Sequence, residues 1–179
     1  RIAGPSIFSR VAAQAVKDGL DGTSLENAKN IPYAIPNVSV SYALVNTSVP
    51  VGFWRSVGAS QNVFVTECFF DEVARATGKD PYALRRDLLK DHPRHRAVLE
   101  LAAQKAGWGT PLPAGRARGM AVAESFASFV AQVAEVSIEH GKVRVHRVVC
   151  AVDCGMVVNP NTVAAQMESG IIFGLTAAL

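Results

Sequence analysis

Val148-Val-Cys-Ala-Val-Asp-Cys-Gly-Met-Val-Val-Asn-Pro160 is the stretch that decides how the chain folds. Residues 148–152 are apolar without alternation, the pattern of a strand covered on both faces. Asp153-Cys154-Gly155 ends the run with turn chemistry. Asn159-Pro160 then opens a helix, with a capping side chain followed by a proline at the first helical position. That helix is expected to continue to Leu179. Upstream, Lys142–Asp153 and Gly119–Glu139 read as strands, and His140-Gly141 between them reads as a hairpin turn.

Before Gly119 the period changes from strand to helix. Val63, Phe64, Phe70, Val73 and Ala74 recur at helical spacing between about Ser60 and Ala76, with Gly78 as a stop. Asp80-Pro81 restarts a helix that should end near Asp91. A third helix, from about Arg94 to Lys105, should turn Val98, Leu101 and Ala102 inward and close at Gly107. Further upstream Val38 to Val45 alternates as a half-buried strand does, and residues 1–36 are punctuated by turns. The order strand, helices, strands, helix is an α+β fold of mixed helices and antiparallel strands. Residues 1–107 hold the first strand and the helices and 119–179 the later strands and the C-terminal helix; between them 108–118, rich in proline and glycine, reads either as a linker dividing 1–179 or as a long loop inside one domain.

Composition narrows the function classes. Hydrophobic residues make up 49% of the 179 and charged residues 18%, which excludes a disordered chain. Lysine and arginine exceed aspartate and glutamate by 18 to 15, too small an excess for a nucleic-acid or anionic-membrane surface. Three cysteines build no disulfide framework and read as free, buried thiols. The apolar C-terminal run is shorter than the roughly 20 residues a membrane span needs. The chain starts at Arg1 and stops on an uncharged apolar run, so it reads as a segment excised from a longer protein.

Two places carry candidate chemistry. In Gly52-Phe-Trp-Arg-Ser-Val-Gly-Ala-Ser60, small residues ahead of a helix let backbone N–H groups approach a ligand, and Arg55 adds a planar cationic fork. The alternative is a tight connection with Arg55 on a structural carboxylate. On the last helix, Val163, Gln166, Met167, Gly170 and Gly174 fall on one stripe. Each glycine lowers helix propensity by about 1 kcal/mol relative to alanine, so either a second backbone or a flat ligand is expected against that face. Gln166 offers the donors and acceptor that a heteroaromatic ring edge requires. Cys150 and Cys154 lack the further ligands of a zinc set. The run His92-Pro-Arg-His-Arg96 with Arg85 and Arg86 reads as a solvated helix face, and Glu124 has no paired carboxylate or base at a readable spacing.

These residues resemble a known family. Val51-Gly-Phe-Trp-Arg-Ser-Val-Gly-Ala-Ser-Gln-Asn62 is similar to the loop that the molybdenum hydroxylases, relatives of xanthine dehydrogenase and aldehyde oxidase, place against their metal. Ala134-Glu-Val136, Val149-Cys-Ala-Val-Asp-Cys-Gly155, Val158-Asn-Pro160 and Ala165-Gln-Met-Glu-Ser-Gly-Ile-Ile-Phe-Gly-Leu175 resemble that family's later cofactor segment, in the same order. Gly52-Phe-Trp-Arg-Ser-Val-Gly58 and Asp80-Pro-Tyr-Ala-Leu-Arg-Arg-Asp-Leu-Leu89 look most like the isoquinoline 1-oxidoreductase large (beta) chain branch.

The resemblance implies part of a molybdopterin-binding domain and a molybdenum-pterin cofactor, in bacterial members the molybdopterin cytosine dinucleotide. It implies hydroxylation of an N-heterocyclic aromatic or an aldehyde with oxygen from water, and electron transfer to an iron-sulfur small subunit holding [2Fe-2S] clusters. By the same resemblance Trp54, Arg55, Ser56, Gln166 and Gly170 border the cofactor. Arg55 would contribute its backbone N–H and Gln166 its side-chain amide. No side chain of this chain is expected to ligate the metal, and the family's catalytic glutamate is expected beyond residue 179, so the isolated segment is expected to be inactive. The loop departs from the wider family's Phe-Arg-Gly-Phe-Gly-Gly: Ser56 replaces a glycine and Val57 an aromatic. The competing reading is a non-catalytic protein-interaction module.

Overall fold

The computed structural model describes residues 16–17, 20–43, 45, 48–49 and 52–179, and of Val16 and Lys17 the backbone alone. The described residues divide into two compact units. One holds the residues up to Phe69 apart from Pro32–Ala34; the other holds Pro32–Ala34 and Phe70–Leu179.

In the first unit, β1 (Val16–Lys17) pairs antiparallel with β2 (Leu20–Asp21). Asp21 organises the turns that follow. Its Oδ1 accepts from the Thr23 N–H at 2.9 Å and the Thr23 hydroxyl at 2.6 Å, and its Oδ2 from the Ser24 hydroxyl at 2.8 Å. The Thr23 hydroxyl is the main reason this carboxyl sits below the usual carboxylate range. Helix α1 (Ala59–Ala76) begins in this unit. Near its start the Asn62 side-chain amide donates to Ser24 O at 2.8 Å and Glu26 O at 2.7 Å, tying the turn segment to the helix.

The second unit is built on helices against a sheet. Tyr33 stacks on Phe70 of α1 at 4.0 Å, both buried. α2 (Pro81–Leu88) is capped by Asp80, whose carboxylate accepts from the Ala83 N–H at 2.9 Å and from Trp108 Nε1 at 3.0 Å. α3 (Pro93–Ala106) stops at Gly107, which takes the left-handed conformation (φ 67°) that glycine adopts without strain. Its buried face, Val98, Leu99, Ala102, Ala103 and Ala106, packs on a three-stranded antiparallel sheet of β3 (Arg116–Ser125), β4 (Ser128–Glu139) and β5 (Lys142–Asp153) in that order. Met120 opposite Val133, and Val122 opposite Ala131, fill the buried face. A register shift after Glu135 leaves His146 without a partner opposite it. Two arginines from the strands close the C-terminal end of α3: Arg118 donates to Gly107 O at 2.7 Å and Arg147 to Lys105 O at 3.0 Å. α4 (Pro160–Ala178) follows β5, with the Asn159 side chain accepting from the Thr162 N–H at 3.1 Å.

The α+β class holds, and the helices lie within a few residues of their expected bounds. Several local expectations do not hold. Residues 38–43 and 45 form no strand, and Val38 and Val40 are exposed; alternation alone cannot hold a strand whose ladder groups find no partner among the described residues. The stretch 119–139 is two strands joined at Phe126-Ala127, a hairpin carried by two positive φ values (49° and 58°) on residues with no turn signature. In α3 Leu99 is buried and Leu101 exposed, while Phe64 of α1 is also exposed. Of the run 148–152 only Ala151 is buried, and the thiols form no disulfide but are not buried: Cys68 is exposed and Cys150 and Cys154 are half-buried.

Candidate cofactor-binding site

Trp54, Arg55 and Ser56 lie on the loop before α1, in the first unit, and all three are exposed. The Val57 N–H donates to Trp54 O at 3.0 Å, closing a turn whose third residue, Ser56, has φ 80°. Such a turn asks for glycine at that position. The serine is held there by its hydroxyl, which donates to Arg55 O and meets the Ser60 hydroxyl at 2.6 Å; Ser60 in turn reaches Arg55 O at 3.1 Å. Val57 follows at φ 51°, an unusual conformation for a β-branched residue. The loop is thus a strained, hydroxyl-locked bend with the Trp54 and Arg55 side chains outside it. Gly58 has a structural explanation: a Cβ there would collide with the carbonyl oxygen of Thr23.

Gln166 and Gly170 lie one turn apart on α4, in the second unit. Val163, Met167, Gly170, Ile171 and Leu175 form a half-buried stripe, Gln166 and Gly174 are exposed, and no residue of the helix is buried. A Cβ at Gly170 or at Gly174 would meet nothing within 4 Å. This face fits a pterin-type cofactor. A helix face stripped to backbone, left open by the described residues and bearing a carboxamide, suits a flat heterocycle that is recognised at its edge.

A second cluster, unread in the sequence, gathers at one end of the sheet. Arg94 grips Asp153 with two bonds of 2.7 Å and lies 4.1 Å over the Phe129 ring. That grip and the Gly155 N–H hold the Asp153 carboxyl down at about 2. His95 is buried, edge-on to Phe129 at 4.7 Å, and burial followed by the charges of His92 and Arg94 pushes its imidazole down to about 4. Glu124 Oε2 lies 3.7 Å from His95 Nε2, beyond hydrogen-bond length, and with a neutral imidazole the contact is no salt bridge at pH 7. Only the Asp-x-Gly turn of this cluster was visible in the sequence, because Arg94 and Asp153 are 59 residues apart.

Other arrangements argue against competing chemistries. Ser137 Oγ lies 2.8 Å from His146 Nε2, but its hydroxyl donates to Glu139 at 3.0 Å, so the acid accepts the serine's hydrogen bond and the hydroxyl proton does not point at the histidine. The arginines of the basic run are engaged: Arg85 with Asp71, Arg86 with Asp87, Arg94 with Asp153 and Arg96 with Glu100. Burial raises the Cys150 thiol above its ordinary value. Among the described residues no group of three or more His, Cys, Asp or Glu side chains could hold a metal, and no helix is long and apolar enough to cross a membrane.

Comparison with known proteins identifies the type of domain. Residues 60–179 match one molybdopterin cofactor-binding domain and residues 12–89 match another. The chain is 36% identical over 154 residues to the beta chain of isoquinoline 1-oxidoreductase from Brevundimonas diminuta, covering 83% of this chain and 20% of that protein. It is 32% identical over 160 residues to a nicotinate dehydrogenase subunit of Pseudomonas putida, covering 79% and 13%. It is 31% identical over 149 residues to a membrane-bound aldehyde dehydrogenase (pyrroloquinoline-quinone) of Gluconacetobacter polyoxogenes, covering 72% and 19%. The chain therefore spans a fifth or less of the length of these relatives. No solved structure matches. With two molybdopterin-binding matches spanning the chain from residue 12 onward, the chain belongs to the molybdopterin cofactor-binding domains of the molybdenum hydroxylase family.

Proposed function

We propose that this chain forms part of the cofactor wall of a molybdenum-pterin oxidoreductase that hydroxylates an N-heterocyclic aromatic, isoquinoline-like, or an aldehyde. The observation that carries the reading is the open glycine face of α4 beside Gln166, inside the segment that matches a molybdopterin-binding domain. Gln166 holds the cofactor edge through its carboxamide and Gly170 admits the ring system against the helix backbone; the Trp54–Ser56 bend, in the other unit, is a separate candidate for backbone N–H contacts to such a group. When bound, the group supplies the redox chemistry that moves oxygen from water to substrate carbon. Its form is the cytosine dinucleotide, and the electrons pass to an iron-sulfur small subunit with [2Fe-2S] clusters. The general base and the remaining walls come from segments outside this chain. The third relative's name carries a quinone cofactor, but both domain matches here are to molybdopterin-binding domains, and these favour the pterin.

The test is metal and pterin content in the full-length protein that carries these residues. Gln166→Leu should lower molybdenum, read by elemental analysis, and pterin, read by fluorescence of its oxidised form, in parallel. Full content of both in that variant removes Gln166 from the site. A second reading, a protein-interaction module, draws on the exposed Phe64, Val65 and Phe69 of α1. It requires that a full-length protein with polar residues at those three positions lose a partner subunit while keeping its molybdenum.

A further inference from the structure

We infer that Arg94 is a positioning residue for the cofactor wall: through Asp153 and the Gly155 amide it sets the direction in which α4 leaves the sheet. The functional half of this inference rests on the reading of Gln166 given above; the structural half does not.

α4 carries Gln166 and Gly170, yet none of its 19 residues is buried. A helix that buries so little gains little orientation from packing, so its direction depends on its root, residues 153–159. At that root Asp153, the last residue of β5, has both carboxylate oxygens taken by one guanidinium. Arg94 Nε donates to Oδ2 and Nη2 to Oδ1, each at 2.7 Å. The fork is fixed in its plane by the ring of Phe129, a buried residue of β4, 4.1 Å below it. Arg94 is the second residue of α3, whose buried face is packed on the sheet, so the fork is referred to the core of this unit. The grip is then handed on. Asp153 Oδ1 also accepts from the Gly155 N–H at 3.0 Å, and Gly155 turns the chain with φ 75° toward the Asn159 cap of α4. Lysine in place of Arg94 keeps the charge but loses the second bond and the stacking plane. Because both side chains are about two-fifths exposed, the pair adds little to global stability; its effect is on geometry.

The test uses Arg94→Lys and Asp153→Asn in this chain, with amide hydrogen exchange followed segment by segment. Asparagine keeps an acceptor for the Gly155 N–H and removes the charge that holds the fork. The clamp predicts that α4 amides exchange about 10-fold faster in both variants while amides of β4 around Ala131 and Val133 change less than about 2-fold. Equal acceleration of α4 and β4 would mean a general loss of stability and would overturn the inference. Unchanged α4 exchange would overturn it too. In the full-length protein Arg94→Lys should lower molybdenum and pterin content several-fold. Full content in Arg94→Lys with a loosened α4, while Gln166→Leu is depleted, overturns the positioning role and leaves the site reading standing. Full content in both variants overturns the site reading itself.

Discussion

Replacing His95 with phenylalanine should change how the fold responds to acid more than it changes the fold at neutral pH. His95 is 4% exposed. It lies edge-on to Phe129, with His92 5.4 Å away and Arg94 beside it on α3, and with Glu124 of β3 at 3.7 Å. Burial first, then the charges of His92 and Arg94, push the imidazole down from 6.5 to about 4. The unfolded chain therefore takes up a proton near pH 6.5 while the folded chain resists until about pH 4. The stabilisation is complete above the unfolded value and is lost as the pH falls through that window. At about 1.4 kcal/mol per pH unit, the fall amounts to roughly 3 kcal/mol by pH 4. Phenylalanine occupies the same apolar seat against Phe129 and has no proton to bind. Urea denaturation followed by far-UV circular dichroism at pH 7, 6, 5 and 4, on the unsubstituted chain and on His95→Phe, isolates the effect. The lowered carboxyls of Asp21, Glu135, Glu139 and Asp153 titrate in both proteins and cancel in the difference. The variant should gain about 3 kcal/mol on the unsubstituted chain between pH 7 and pH 4. Parallel stability curves would show that this buried histidine does not hold a depressed value, and would refute the reasoning.

Three other variants separate the roles of individual backbone positions. Gly58→Ala drives a Cβ into the Thr23 carbonyl and should cost about 1–3 kcal/mol, read as a lower thermal midpoint. Gly170→Ala meets open space, so it should raise the stability of this chain by about 1 kcal/mol through helix propensity, while lowering molybdenum content in the full-length protein. Phe126→Asn with Ala127→Gly supplies the residues that two positive φ values favour and should stabilise the chain by about 1–2 kcal/mol, visible as a midpoint several degrees higher.

What could be read from the sequence was mostly punctuation. Asp80-Pro81, Asn159-Pro160 and Gly107 mark helix ends by local chemistry, and each caps or stops its helix as read. His140-Gly141 turns a hairpin with both φ values positive. Phe126-Ala127 turns another with neither glycine nor asparagine, because ten register pairs along β3 and β4 hold a turn that its own residues do not prefer. Val38 to Val45 fails in the opposite way: its alternation is real, but a strand is a property of a pair of segments. The Arg94–Asp153 grip is invisible for the same reason, being made by residues 59 apart that meet only where α3 crosses the end of the sheet.

The glycines show why the candidate site was only half legible. In the sequence, Gly58 and Gly170 send the same message, that something approaches the backbone closely at each. In the structure they part. Gly58 is filled by the chain itself, since the Thr23 carbonyl occupies the space a side chain would need, and its closeness is packing. Gly170 and Gly174 have no such neighbour among the described residues, on a helix that buries none of its residues, so their lost helix propensity is not offset by those residues. A compensating contact for α4 must come from outside these residues, and the carboxamide of Gln166 on the preceding turn is what gives that contact a polar, ring-edge character. The loop around Arg55 carries a different kind of cost, two consecutive non-glycine residues at positive φ, held by the hydroxyls of Ser56 and Ser60 on one carbonyl. Ser56→Gly would relieve that strain, so a bend kept for backbone presentation alone should accept the change, and a bend that needs its hydroxyl lock should not.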